Sequence, residues 1–137
     1  MKPKQPSMYH VWDGSKWIVD LDKLKNDKRA EIANARWKAE TGGITLNGVE
    51  VATDRESQAL LMGSVLAAQD NPEYVINWKA KNGWVVLDAA TILAVADAVR
   101  NHVQACFDRE KALQEQIEEA TTVAELEAVK WEWKRSS

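Results

Sequence analysis

The chain has 137 residues, a length that suggests one domain. Apolar residues make up 45% and charged residues 28%, the balance of an ordinary globular protein, and no apolar run approaches the ~20 residues of a membrane-spanning helix. One cysteine and two histidines exclude an intramolecular disulfide framework and a multi-cysteine zinc site. The opening, MKPKQPSMYH, lacks the apolar stretch of a secretory signal. The unusual count is seven tryptophans against one phenylalanine and two tyrosines.

The net charge is −3, so no global basic field draws in nucleic acid and no nucleic-acid partner is expected. The charge is uneven. Residues 1–38 carry nine Lys/Arg against five Asp/Glu, and residues 39–137 carry nine against sixteen. Lys23, Lys25, Lys28 and Arg29 alternate with Asp20, Asp22, Asp27 and Glu31. That mixture reads as a solvated helix face. A basic and an acidic half can also attract one another, within one chain or between copies.

Residues 1–8 hold two of the three prolines and little to bury, and are expected to be a flexible leader. Tyr9–Trp12 and Trp17–Val19 are β-rich runs around Asp13-Gly14-Ser15-Lys16, which suggests a hairpin over residues 9–20. A four-residue loop pairs Trp12 with Trp17; a two-residue turn pairs Trp12 with Ser15. Asp20 or Asp22 can cap a helix running to about Thr41, with Leu21, Leu24, Ile32, Ala35 and Ala39 on one side and Gly42-Gly43 as the stop. Asn47-Gly48 between alternating runs calls for a type I′ turn that pairs Leu46 with Val49 and Ile44 with Val51.

Thr53 and Glu56 fit a capping box for a helix from Asp54 to about Gln69, with Leu60, Leu61, Val65, Leu66 and Ala68 as its apolar stripe. Gly63 inside it costs about 1 kcal/mol against alanine, and close approach of another backbone would account for it. Asn71-Pro72 ends the helix. A third hairpin follows, turning at Asn82-Gly83, with Ile76, Trp78, Val85 and Leu87 on one face and Lys79, Lys81, Trp84 and Val86 on the other. Asp88 caps a long helix from about Ala89 to Ala120. Its seam, Ile92, Ala96, Val99, Val103, Cys106, Glu110, Leu113 and Ile117, steps by four and three. Thr122 and Glu125 open a last helix to about Trp133, which can fold back on the seam as an αα-hairpin; pairing of the Ile92–Ile117 seam between two copies is the alternative. Hairpins alternate with helices, without the rhythm of a parallel sheet. The expected class is α+β: short antiparallel hairpins packed with helices, then the long C-terminal helix and αα-hairpin, with residues 21–137 as one domain.

No phosphate loop, dinucleotide fingerprint, zinc-protease helix or nucleophile elbow occurs, so no catalytic, cofactor-binding or metal-binding residues are assigned. His102 lies one helical turn before Cys106, but Cys106 falls on the apolar seam, the usual place of an inert buried thiol. The paired carboxylates, such as Glu118-Glu119, fall on solvent faces. Trp78 reads as core. Trp12, Trp17, Trp37, Trp84, Trp131 and Trp133 are the candidate partner-binding anchors, because rigid amphipathic aromatics concentrate at interfaces. Trp131 and Trp133, two apart on a helix, would point to different sides.

Lys28-Arg29 is followed by Ile32, Arg36, Glu40 and Gly43; Ile44-Thr45-Leu46-Asn47-Gly48 supplies a short hairpin with an inner glycine; Thr53-Asp54-Arg55-Glu56-Ser57 leads into a helix with Gly63 and Ala67-Ala68. Trp78, Asn82-Gly83 and Val86-Leu87-Asp88-Ala89-Ala90 follow, then His102, Ile117-Glu118-Glu119-Ala120-Thr121-Thr122-Val123-Ala124-Glu125-Leu126 and Trp131. In this order, over about three quarters of the chain, the sequence resembles a family of domains of unknown function from tailed phages and prophages, associated with tail-fibre and tail-fibre-assembly proteins. The family tends to place aromatics in its first hairpin, where this chain has Ile44, Leu46 and Val51. The run from Val11 to Trp17 looks like the Trp-containing lead-in of small phage tail accessory proteins. The resemblance brings no catalytic residues. It implies a non-enzymatic assembly protein that binds the phage tail-fibre polypeptide through exposed Trp and apolar anchors. Such a protein would act in the host bacterial cytoplasm during assembly or stay in the virion tail. The alternatives are a structural or oligomerising module of the virion and a carbohydrate-binding accessory.

Overall fold

The structure is a computed structural model that describes residues 3–7 and 9–132. Its elements run β1 (His10–Trp12), β2 (Trp17–Val19), α1 (Leu21–Glu40), β3 (Ile44–Leu46), β4 (Val49–Val51), α2 (Arg55–Asp70), β5 (Val75–Ala80), β6 (Gly83–Asp88), α3 (Ala89–Glu119) and α4 (Val123–Glu127). The class is α+β: each strand pair is a separate antiparallel hairpin, followed by a helix. No helix of the described residues is long and apolar enough to cross a membrane. The chain divides into two compact units, Met1–Ala35 with Arg109–Ser137, and Arg36–Asp108. The boundaries between these units fall inside α1 and α3.

In the first unit the four-residue loop prevails. Asp13 Oδ1 accepts from the backbone N–H of Ser15 (2.8 Å) and of Lys16 (2.7 Å), which folds the loop and sets Trp12 opposite Trp17. Asp20 is the cap of α1, its Oδ1 accepting from Lys23 N at 3.1 Å. The core of this unit is Ile32, Leu113, Ile117, Ala120, Leu126 and Val129, with Leu21, Leu24 and Trp131 packed against it. Lys28 pairs with Glu31 at 2.9 Å, but its side chain is only 16% exposed, and Lys25 Nζ donates to Glu118 O at 3.0 Å, so this mixed face is partly packed rather than fully solvated.

The last helix is shorter than expected. Thr122 caps α4 by accepting from Glu125 N at 3.1 Å, and Glu125 reaches back to Thr121 N at 2.9 Å, a variant of the capping box one residue further back. The helix ends at Glu127, and Val129 buries in the core from an irregular segment. One helical turn is enough to place Leu126 and Val129. Trp131 therefore lies beyond the helix, and Trp133 lies outside the described residues.

The second unit is built on Val51, Leu61, Val65, Ala68, Leu87, Ala89, Ile92, Val95, Ala96 and Val99. Asn47 and Gly48 take positive φ (50° and 81°), the type I′ turn, with the expected pairing Ile44↔Val51 and Leu46↔Val49. The start of α2 departs from expectation. Its cap is Asp54, which accepts from Ser57 N at 3.2 Å, whereas the Thr53 hydroxyl is fully buried, accepting from Gly43 N (2.9 Å) and donating to Glu40 O (2.6 Å). Gly43 has φ +89°, where a side chain is strained, and a Cβ there would crowd Lys81 Nζ at 2.9 Å and Val51 O at 3.2 Å, which favours glycine.

The third hairpin turns one residue earlier than Asn82-Gly83: Ala80 pairs with Gly83, and Lys81-Asn82 form the turn. Asn82 is used elsewhere. Its Nδ2 donates to Gly48 O (3.2 Å) and its Oδ1 accepts from Glu50 N (3.4 Å), while Lys81 N donates to Glu50 O (3.2 Å). Moving the turn by one residue changes the pairing sum by two, so the faces survive: Ile76, Trp78, Val85 and Leu87 still share one side. Asp88 caps α3, accepting from Thr91 N at 2.8 Å.

On the seam of α3, Ile92, Ala96, Val99, Cys106, Leu113 and Ile117 are buried inside this one chain, while Val103 and Glu110 are half-buried; this packing agrees with the first of the two alternatives, a seam covered within the chain.

Candidate partner-binding surface

The hairpin β5–β6 has two unlike faces. Ile76, Trp78, Val85 and Leu87 turn towards the core of the second unit. The opposite face carries Val75, Asn77, Lys79, Trp84 and Val86. Trp84 is 70% exposed and Val86 69%. Lys79, paired across the ladder with Trp84, holds its ammonium 6.0 Å from the indole centroid, at the edge of cation–π range. A shallow hollow of about 380 Å³ is lined by Asn77, Trp84, Val85 and Val86. The surface offers a flat rigid indole, a β-branched neighbour, an amide and a cation. That set suits contact with another polypeptide: an apolar anchor with polar groups around it.

A different constellation surrounds Glu40. Its carboxylate is fully buried at the end of α1, accepts from Arg36 Nη1 (2.7 Å), Arg55 Nη2 (3.0 Å) and Gln58 Nε2 (3.2 Å), and is ion-paired with Arg55 Nε (2.5 Å). Burial alone would raise its pKa; the hydrogen bonds from Arg55, Gln58 and Arg36 and the charge of Arg55 outweigh it and hold the group below the ordinary glutamate range. Both guanidinium groups also lie against aromatic rings, Arg36 over Phe107 at 4.5 Å and Arg55 over Trp37 at 5.2 Å. The arrangement ties the end of α1 to the start of α2 around one carboxylate. Its parts were unevenly visible beforehand: the i, i+4 spacing of Arg36 and Glu40 is a local signal, but nothing local in the sequence points to Arg55, Gln58 or Phe107.

His102 Nε2 lies 2.8 Å from Ala39 O; a carbonyl only accepts, so that nitrogen carries the proton. Cys106 Sγ is 3.9 Å from the same nitrogen and is fully buried. Burial first, and then the charge of Glu40, push its thiol pKa up, against a smaller opposing effect of Arg36. An activated nucleophile needs the reverse. Among the described residues, no group of three or more His, Cys, Asp or Glu is placed to hold a metal ion.

The tryptophans separate by environment. Trp12 and Trp17 pack edge to face, centroids 5.4 Å apart at 69°, each half-buried, and Trp17 Nε1 donates to Pro3 O at 2.9 Å. Trp131 packs against the first unit's core. Trp37, 46% exposed, lies under the Arg55 guanidinium. Trp84 is the most exposed large apolar side chain among the described residues. The five candidates among the described residues thus lie in different local environments, Trp12, Trp17 and Trp131 in the first unit and Trp37 and Trp84 in the second.

A protein-family model described as "Domain of unknown function (DUF4376)" matches residues 23–130. The match leaves the β1–β2 hairpin outside it. No curated protein and no solved structure matches the chain.

Proposed function

The chain belongs to the DUF4376 family, and from that premise we propose that it is a non-enzymatic binding module of phage or prophage tail-fibre assembly. It engages the tail-fibre polypeptide through the outward face of β5–β6 and shields it in the host cytoplasm until the fibre trimerises. One observation carries the reading: Trp84 and Val86 are about 70% exposed on a sheet face whose other side is packed. Exposed apolar side chains grouped in this way mark interaction surfaces. The tail-fibre context rests on the resemblance in residues Lys28–Trp131.

The test is co-expression with a phage tail-fibre polypeptide. The fibre should be soluble and trimeric with the wild-type chain and should aggregate with Trp84→Ser or Val86→Ser, both of which leave the core intact. A fibre equally soluble and trimeric in the absence of this chain overturns the proposal. The hollow between Asn77 and Trp84 favours a second reading, stacking of a host sugar on the indole. In that case, host glycans should change the emission of the wild-type chain but not of Trp84→Ser.

A further inference from the structure

A second exposed apolar surface lies on α2. Its inward side is Leu61, Val65 and Ala68. On the outward side Leu60 is 61% and Leu66 63% exposed, three residues before and after Gly63. A Cβ built on Gly63 would meet nothing within 4 Å. Close packing within the described chain therefore does not account for a glycine that weakens the helix interior. Ala59 and Ala67, one turn to either side, continue the small-residue floor, and the two leucines form its walls. A groove of this shape lets a second helix approach closely at Gly63.

Charge says what kind of helix. Glu56 and Asp70 lie two turns either side of Gly63, about 10 Å away along the axis, and both are exposed. The one basic residue of α2, Arg55, is held by Glu40. The groove is thus apolar in the middle and acidic at both ends. A second copy laid antiparallel would set Glu56 against Asp70, and laid parallel would set each acid against itself; both arrangements oppose like charges.

We infer that this face of α2 receives an amphipathic helix of a partner protein whose apolar side is closed at each end by Lys or Arg. The inference stands apart from the reading of the Trp84 face. The probes are two synthetic helical peptides of about fifteen residues, each with Leu and Ala on one side, one ending in Lys at both ends of that side and the other in Glu. Binding to the full chain is read by fluorescence anisotropy. The Lys-ended peptide should bind at least about tenfold more tightly than the Glu-ended one. The double variant Glu56→Lys, Asp70→Lys should reverse that preference. Gly63→Leu should fill the groove and weaken the Lys-ended peptide about tenfold, while thermal melting stays at or above that of the wild type because the new side chain meets open space. Equal binding of the two peptides, no binding of the Lys-ended peptide, or binding indifferent to Gly63→Leu overturns the inference. A concentration-dependent dimer abolished by Gly63→Leu also overturns it, since the occupant would then be a second copy. These variants leave Trp84 in place, so failure here is distinct from failure of the fibre-binding test.

Discussion

Glu40 shows how much of one unit can depend on a single side chain. Its carboxylate has no solvent contact, three hydrogen bonds from Arg36, Arg55 and Gln58, and a further ion-pair contact with Arg55 Nε. Glu40→Gln keeps the shape but removes the charge that the guanidinium groups of Arg36 and Arg55 face. It should destabilise the chain by about 3 kcal/mol in denaturant unfolding, the scale for breaking a buried pair from one side. The pH dependence follows from the direction of the shift. Glu40 titrates lower when folded than when unfolded, so the folded state binds fewer protons. Its stabilisation is complete above the unfolded value and fades as pH falls through the lower, folded one. The wild type should therefore lose stability on acidification more steeply than Glu40→Gln; parallel pH curves would contradict the role given to this carboxylate. Thr53 teaches a related lesson. It sits where a capping box expects a cap, yet its hydroxyl is used by Gly43 and Glu40, partners ten and thirteen residues away. Tertiary demand took the better-matched local residue, and Asp54 capped instead.

Among the elements, those whose signals are local agree with the sequence, and those decided by distant partners do not. The Asn47-Gly48 turn reads directly, because left-handed φ at two successive positions leaves few residue choices. Asn82-Gly83 looks the same and behaves otherwise, since Asn82 binds Gly48 and Glu50 of the neighbouring hairpin. The face carrying Trp84 was nevertheless legible, because a strand's side-chain alternation is unchanged by a two-residue shift. That Trp84 rather than Trp12 or Trp17 dominates the exposed surface was not legible: it depends on which faces find a core. The last helix stops at Glu127 although its apolar pattern continues to Val129, which reaches the core from an irregular segment. Gly63 gives the element-scale prediction. With open space at its Cβ position, Gly63→Ala should stabilise the chain by up to about 1 kcal/mol, measured as a higher denaturant midpoint. A loss of stability would mean that something unseen presses on this turn.

For the molecule as a whole, the division into two units makes its lone thiol informative. Cys106 lies in unit Arg36–Asp108, fully buried and with its pKa pushed up, first by burial. Ellman's reagent should leave the native chain unmodified and react as this unit opens in denaturant. Rapid stoichiometric reaction without denaturant would contradict that burial. The buried α3 seam bears on assembly: Ile92, Ala96, Val99, Cys106, Leu113 and Ile117 are covered by this chain's own side chains.

The edge-to-face pair of Trp12 and Trp17 has an optical consequence. Two indoles with centroids 5.4 Å apart and planes at 69° couple their electronic transitions. The hairpin should therefore contribute an exciton couplet to the circular dichroism spectrum, and either Trp12→Phe or Trp17→Phe should remove it. Because the pair precedes the residues shared with the DUF4376 family, that band would follow the first hairpin's own folding against a background set by the rest of the chain.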